Sequence, residues 1–167
     1  MDVMQAMQER RSIRKYQIRS IEQEKLDAIA QAFRLAPTAR NEQKWKLYIV
    51  QNADVKAKIR AASPGEPLWL TDAPAILVVT SDEQRVMTCG HRVDTVNLSI
   101  GMSFCVLEAW EQGLGTCWMA MFKEDGVREA LGLPENISIA AISPLGYADE
   151  APAARPRKPL EDVVEYI

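Results

Sequence analysis

The sequence predicts one domain of interleaved helices and strands closed around a single buried helix. Three observations carry this. From Asp94 to Gln112, apolar residues (Val96, Leu98, Ile100, Met102, Phe104, Val106, Leu107, Ala109, Trp110) occupy every face of a 3.6-residue wheel, where a surface helix shows one stripe. Residues 75–80, AILVVT, are short, apolar and β-branched, the pattern of a strand buried on both faces. Leu26, Ile29, Ala30 and Phe33 recur at helical spacing and mark an amphipathic helix that could pack on such a strand. A chain of 167 residues suits one such domain, spanning 1–167, with a core of its own.

The elements follow in order. Val3 to Glu9 reads as a short amphipathic helix with Val3, Met4 and Met7 on one side. ERRSIRKY, residues 9–16, comes next. If it is extended, side chains alternate, and Arg10, Ser12 and Arg14 share a face. Arginine forks beside a hydroxyl suit a phosphate, although a basic run can equally be a solvated face. Ser20 is a candidate N-cap with Gln23 in the capping-box position, for a helix ending near Leu35. Residues 36–44 form a loop dense in donors (Thr38, Arg40, Asn41, Gln43), suited to a simple connection or to the polar edge of a flat heterocycle. Trp45 to Val50 is strand-like, residues 53–62 helical, and Pro64 to Pro67 a break. Residues 69–72 and 81–92 carry no clear periodicity.

The buried helix is rich in small residues (Thr95, Asn97, Ser99, Gly101, Ser103, Cys105), so neighbouring backbones can approach closely. It is too short and polar for a membrane span. A helix so apolar in so small a chain needs cover on all sides, from its own domain or from a second subunit. Gly113 and Gly115 end it, and GTCWMAMF leaves the turn as a strand. Residues 123–131 read as a helix stopped by Gly132 and Pro134, and residues 137–145 as a strand. In the closing tail, Pro156 and Pro159 stiffen a segment bearing Arg155, Arg157 and Lys158.

The formal net charge of -3 implies no general polyanion-binding surface, so no nucleic-acid role is expected. The basic residues nevertheless cluster near both chain ends, which points to a local anion site. Cys89, Cys105 and Cys117 are an odd number without a paired framework, as in a reducing cytoplasm. No apolar signal core follows Met1. His91 has no Cys, His or carboxylate at ligand spacing, so no metal site is expected. Cys117 has no identifiable histidine partner and reads as a structural thiol.

Four separated segments resemble the FMN-dependent nitroreductase family. ERRSIRKY is similar to its N-terminal phosphate motif. APTARNEQKW resembles its Ala-Pro-Ser-x-x-Asn-x-Gln-Pro-Trp loop. EQGLGTCWM resembles its Gly-Leu-Gly-Thr/Ser-x-Trp turn. GYADEAPAARPRKPLEDVV is similar to its closing Gly-Tyr…Arg-Lys-Pro-Leu-x-x-Val. The motifs keep the family's order across nearly the whole chain. Lys44 stands where the loop usually has proline, and Arg40 adds a charge there.

The resemblance implies an α+β fold, a mixed central sheet flanked by helices, in an intertwined homodimer with FMN at the interface. It implies FMN-dependent NAD(P)H oxidoreductase activity, with ping-pong hydride transfer through flavin N5 to nitro compounds, quinones or similar acceptors. No side-chain acid or base is required. Arg10, Ser12 and Arg14 match the positions for phosphate, ribityl and pyrimidine edge, with Arg11 in the same basic motif. Arg157, with Arg155, matches a second phosphate clamp. Thr38, Asn41 and Gln43 match a loop lent by the partner subunit, and Gly115 and Thr116 the turn lying against the flavin ring. A non-redox FMN carrier or sensor with the same fold is the alternative.

Overall fold

The computed structural model describes residues 2–167. Along the chain run α1 (Val3–Glu9), α2 (Gln23–Leu35), β1 (Lys46–Val50), α3 (Ala53–Ala61), α4 (Trp69–Asp72) and β2 (Ala75–Ser81). Then come α5 (Val93–Glu111), β3 (Gly115–Thr116), α6 (Glu124–Leu131) and β4 (Ser138–Gly146). The strands form one sheet in the order β1-β2-β4-β3, and each ladder is antiparallel. The parallel component of the mixed sheet is a single bridge between Ser12 and Thr116.

β2 explains the layering. All its residues are buried, so alternate side chains must each find an apolar layer. Ala75, Leu77 and Val79 pack with α2 and α5, while Ile76 and Val78 pack with α3, α4 and α6. The sheet thus lies between two helical layers, the α+β architecture expected. Gly101 of α5 lets that layer close, because a Cβ there would stand 2.6 Å from the Phe33 ring. No helix among the described residues is long and apolar enough to cross a membrane.

On α5 the sheet-facing side, with Leu98, Met102, Cys105 and Ala109, has no exposure. Its other side is only partly covered by the described residues. Val96 and Phe104 are 36% and 39% exposed, and Ile100 and Leu107 on the same stripe are only half-buried. Val3, Met4 and Met7 of α1, whose Ala6 is buried, are exposed as well.

Two sequence expectations need correction. Ser20 does not cap α2. The N-cap is Glu22, which makes no side-chain capping bond, because its carboxylate accepts from Arg19 and from the Tyr147 hydroxyl. The strand after Gly115 extends only to Thr116. The Cys117 N–H turns aside to the Ser143 hydroxyl at 3.1 Å, and the backbone rejoins β4 only at the Met119–Ile142 bridge. The segment 69–72, without a pattern in the sequence, is the short helix α4. Its following carbonyls are held by the buried Lys56 ammonium, which donates to Thr71 and Ala73.

Gly115 lies against Ile13, and an added Cβ would meet the Ile13 side chain at 2.6 Å. Ile13 is 1% exposed, so it has nowhere to retreat. Gly115→Ala is therefore expected to lower unfolding stability by about 1–3 kcal/mol, as overpacking does. Urea unfolding monitored by circular dichroism measures this, and Ile13→Ala, which removes both γ carbons that crowd the added Cβ, should cost less in the Gly115→Ala background than in the parent.

Candidate functional site

The N-terminal segment is zipped to the end of the sheet by its backbone. The Ile13 N–H donates to the Thr116 carbonyl at 2.8 Å, Gln17 to Tyr147 at 2.9 Å, and Asp149 donates back to Lys15 at 2.8 Å. The Arg14 N–H donates to the Glu150 carboxylate, and the buried Tyr16 hydroxyl donates to the Ile13 carbonyl at 2.6 Å. Residues 12–13 therefore lie along Thr116, and residues 15–17 along 147–149. The extended geometry buries Ile13 and leaves Ser12 and Arg14, on either side of it, exposed.

The tail continues from this seam. It carries Arg155 and Arg157 back over Arg10 and Arg14, and a cavity of about 590 Å³ results. Five arginines line it, namely Arg10, Arg11, Arg14, Arg155 and Arg157, with Ser12, Met7 and Gln8. The two basic clusters at opposite ends of the sequence thus share one wall. Arg11 is occupied, because its guanidinium donates to the carbonyls of Gln8, Glu9 and Arg10 at the end of α1. Among the described residues, the guanidinium groups of Arg10, Arg14, Arg155 and Arg157 form no ion pair. Unpaired guanidinium forks around a hydroxyl have the donor chemistry that suits an oxyanion.

A second cavity of about 470 Å³ also holds arginines. Those are already satisfied, since Arg92 pairs with the buried Asp94 and Arg128 with Glu124 and Asp125.

Thr38, Asn41 and Gln43 do not line the arginine cavity within this chain. They belong to a tight turn in which the Gln43 N–H donates to the Thr38 hydroxyl at 3.2 Å and the Gln43 amide to the Asn41 carbonyl. Arg40, Asn41 and Gln43 all have left-handed φ, at 55°, 56° and 52°. Such conformations cost about 1 kcal/mol or more each outside glycine, so the surroundings must enforce them. Gly115 and Thr116 lie directly behind Ser12 and Ile13, against the same seam. Cys117 is buried beside them. Burial pushes its thiol up, against the opposing pull of Arg14 and Ser12, so it remains a thiol rather than a ready nucleophile.

The segment 81–92, unassigned in the sequence, supplies the enforcement. The Ser81 hydroxyl donates to the Lys44 carbonyl at 2.5 Å and accepts from the Glu83 N–H at 3.0 Å. Glu83 is buried and accepts from the Arg85 backbone and guanidinium. Arg85 also reaches Glu42 of the loop at 2.5 Å, and Lys44 lies 3.3 Å from Glu83 and 3.7 Å from Glu42. The sequence signal was present as paired alternations, Glu42-x-Lys44 and Glu83-x-Arg85.

The sequence profile of the nitroreductase family matches residues 7–68 and 61–147. The chain belongs to this family. A Methanothermobacter thermautotrophicus protein whose name couples NADH dehydrogenase with NAD(P)H nitroreductase is 33% identical over 93% of this nitroreductase-family chain and 82% of its own. The crystal structure of a nitroreductase family protein from Clostridium difficile 630 superposes with a TM-score of 0.89 at 30% identity, covering 99% of this chain and 98% of that one. An FMN-dependent nitroreductase from Clostridium difficile R20291 superposes at 0.84 with 28% identity, covering 98% of both chains.

In this nitroreductase-family protein the Arg85 hydrogen bonds hold the Glu83 carboxyl at about 2, below its ordinary 4.5. A depressed carboxylate stabilises the fold above the unfolded pKa, and that contribution is lost as pH falls through the folded value. Glu83→Gln should therefore unfold earlier in urea than the parent at pH 7. The gap should narrow as pH is lowered from 4.5 toward 2. A gap unchanged by acid would show that Glu83 acts by shape rather than charge.

Proposed function

We propose that this nitroreductase-family protein binds FMN and works as an NAD(P)H-dependent oxidoreductase on nitro compounds, quinones or similar acceptors. The single observation that carries this is the set of unpaired guanidinium groups around Ser12 at the arginine cavity. A phosphate monoester carries close to two negative charges at neutral pH and presents oxygens that arginine forks match. The donor set therefore fits the phosphate end of FMN. Arg10, Ser12, Arg14, Arg155 and Arg157 would hold that end, with Arg11 adding charge while it caps α1. Gly115 and Thr116, behind the seam, would support the ring. When bound, FMN supplies hydride chemistry between NAD(P)H and the acceptor. The chain contributes orientation and positive charge, and no side chain is assigned as acid or base. Residues 1–167 form the one cofactor-binding domain. The three cysteines are free thiols, which suits residence in the cytoplasm.

The same reading makes the protein a homodimer. The uncovered stripe of Val96, Ile100, Phe104 and Leu107, with α1's Val3, Met4 and Met7, is apolar surface that a second copy would bury. Among the described residues the outer edge of β1 has no strand partner, and Val163, Tyr166 and Ile167 of the tail are exposed. A partner subunit would bring its own Thr38-to-Gln43 loop to the cavity that this chain leaves incomplete.

Arg10→Ala and Arg157→Ala are each expected to weaken FMN binding about tenfold or more, the worth of a charge-assisted hydrogen bond. Riboflavin, lacking the phosphate, should respond little. FMN-loaded protein should consume NADH or NADPH steadily when a quinone or nitroaromatic is present. Loaded protein that neither nucleotide reduces would overturn the oxidoreductase reading in favour of a flavin carrier.

Light scattering at micromolar concentration should give a dimer, with an interface above the roughly 2,000 Å² where obligate contacts begin. Phe104→Asp should yield unfolded protein rather than a stable monomer. A folded, flavin-bearing monomer would refute the assembly.

A further inference from the structure

We propose that the four-charge cluster Glu42, Lys44, Glu83 and Arg85 is the positioning device for the flavin-facing loop, performing through ion pairs the stiffening that a proline gives the related loop. This rests on the reading that Thr38, Asn41 and Gln43 face a flavin.

Three observations converge on it. The loop holds left-handed backbone at Arg40, Asn41 and Gln43, which relaxes unless something opposes it. Within the loop itself, two bonds that Gln43 makes, from its N–H to the Thr38 hydroxyl and from its amide to the Asn41 carbonyl, oppose that relaxation. The Ala39 N–H adds one anchor, donating to the Asn97 carboxamide of α5 at 3.0 Å. A further restraint comes from the other side. Arg85 bridges the exposed Glu42 to the buried Glu83, and Lys44 repeats the bridge from the loop side. The cluster has a firm base, since the Arg85 carbonyl accepts from the Val93 N–H at the start of α5 at 3.0 Å.

The lysine at 44 and the left-handed Gln43 belong together. A proline at 44 would push residue 43 toward extended backbone. With lysine there, Gln43 can turn left-handed, and the rigidity lost from the backbone is replaced by charge. Glu42, Lys44 and Arg85 are partly exposed, at 29%, 52% and 39% of their side chains. Their contribution is therefore screened by salt in a way that a proline ring is not. The positioning of the loop, and with it flavin affinity, becomes dependent on ionic strength.

Riboflavin separates this from the arginine cavity, because it carries no phosphate whose binding salt would also weaken. Riboflavin and FMN affinities are measured by fluorescence quenching at low and high sodium chloride for the parent, Glu42→Gln, Arg85→Met, the double variant and Arg85→Lys. Glu42 lies at the exposed end of the cluster, so Glu42→Gln keeps the fold even where Arg85→Met does not. At low salt each single loss should weaken riboflavin binding about threefold or more, as expected for one member of a hydrogen-bonded charge network. The double variant should be scarcely worse than the stronger single, since both cut one link. Parent riboflavin binding should weaken with salt, the variants should lose that dependence, and Arg85→Lys should restore part of it. General destabilisation would not abolish a salt dependence. Folded variants that bind riboflavin as the parent does, additive losses, or parent binding indifferent to salt would each overturn the proposal while the FMN reading stands. A parent that binds neither flavin would overturn both.

Discussion

The backbone seam that ties residues 12–17 to Thr116 and to residues 147–149 is the constraint on which the rest depends. It joins the two ends of the chain through main-chain hydrogen bonds, which do not depend on side-chain identity. Once it is closed, the alternation of an extended segment aims Ser12 and Arg14 outward, while the tail returns Arg155 and Arg157 to meet them. Ile13 beneath the seam fixes its depth, and Gly115, lacking a Cβ, leaves room for it. A charge cluster that would repel itself along one segment is assembled from two, each restrained by backbone.

Much of this was legible in the sequence because local pattern and tertiary environment agree. The wholly apolar AILVVT became a central strand covered on both faces, and the unstriped helix became α5, packed on the sheet by one side. Its other side is the part of the unstriped pattern that stays partly exposed, at Val96 and Phe104. Alternation in ERRSIRKY put Arg10, Ser12 and Arg14 on one face but left a phosphate motif and a solvated run both open, and the basic ends of the chain that the sequence paired do line one cavity.

What was not legible depended on partners distant in the sequence. Ser20 has the chemistry of a cap, but Arg19 and Tyr147 draw Glu22 into the position where the helix starts. The strand after Gly115 ends early because the Ser143 hydroxyl takes the Cys117 N–H. Within residues 81–92 the contacts of Glu83, Arg85 and Arg92 are ionic, the first two turned toward residues 42 and 44 and the third toward Asp94, so no hydrophobic period marks them. Periodicity reports burial, and a brace built from alternating charges leaves no such trace.

The crowding of five arginines in one cavity has a thermodynamic consequence. On a chain whose formal charge is -3, it leaves the remainder distinctly acidic and sets like charges side by side, with Arg10, Arg14, Arg155 and Arg157 in no ion pair among the described residues. The ligand-free fold therefore carries an electrostatic cost that a bound oxyanion would remove. Binding and folding are linked through that cost, because anything that binds only the native state raises its stability. The melting temperature then becomes a gauge of cavity occupancy, rising even with simple inorganic phosphate or sulfate.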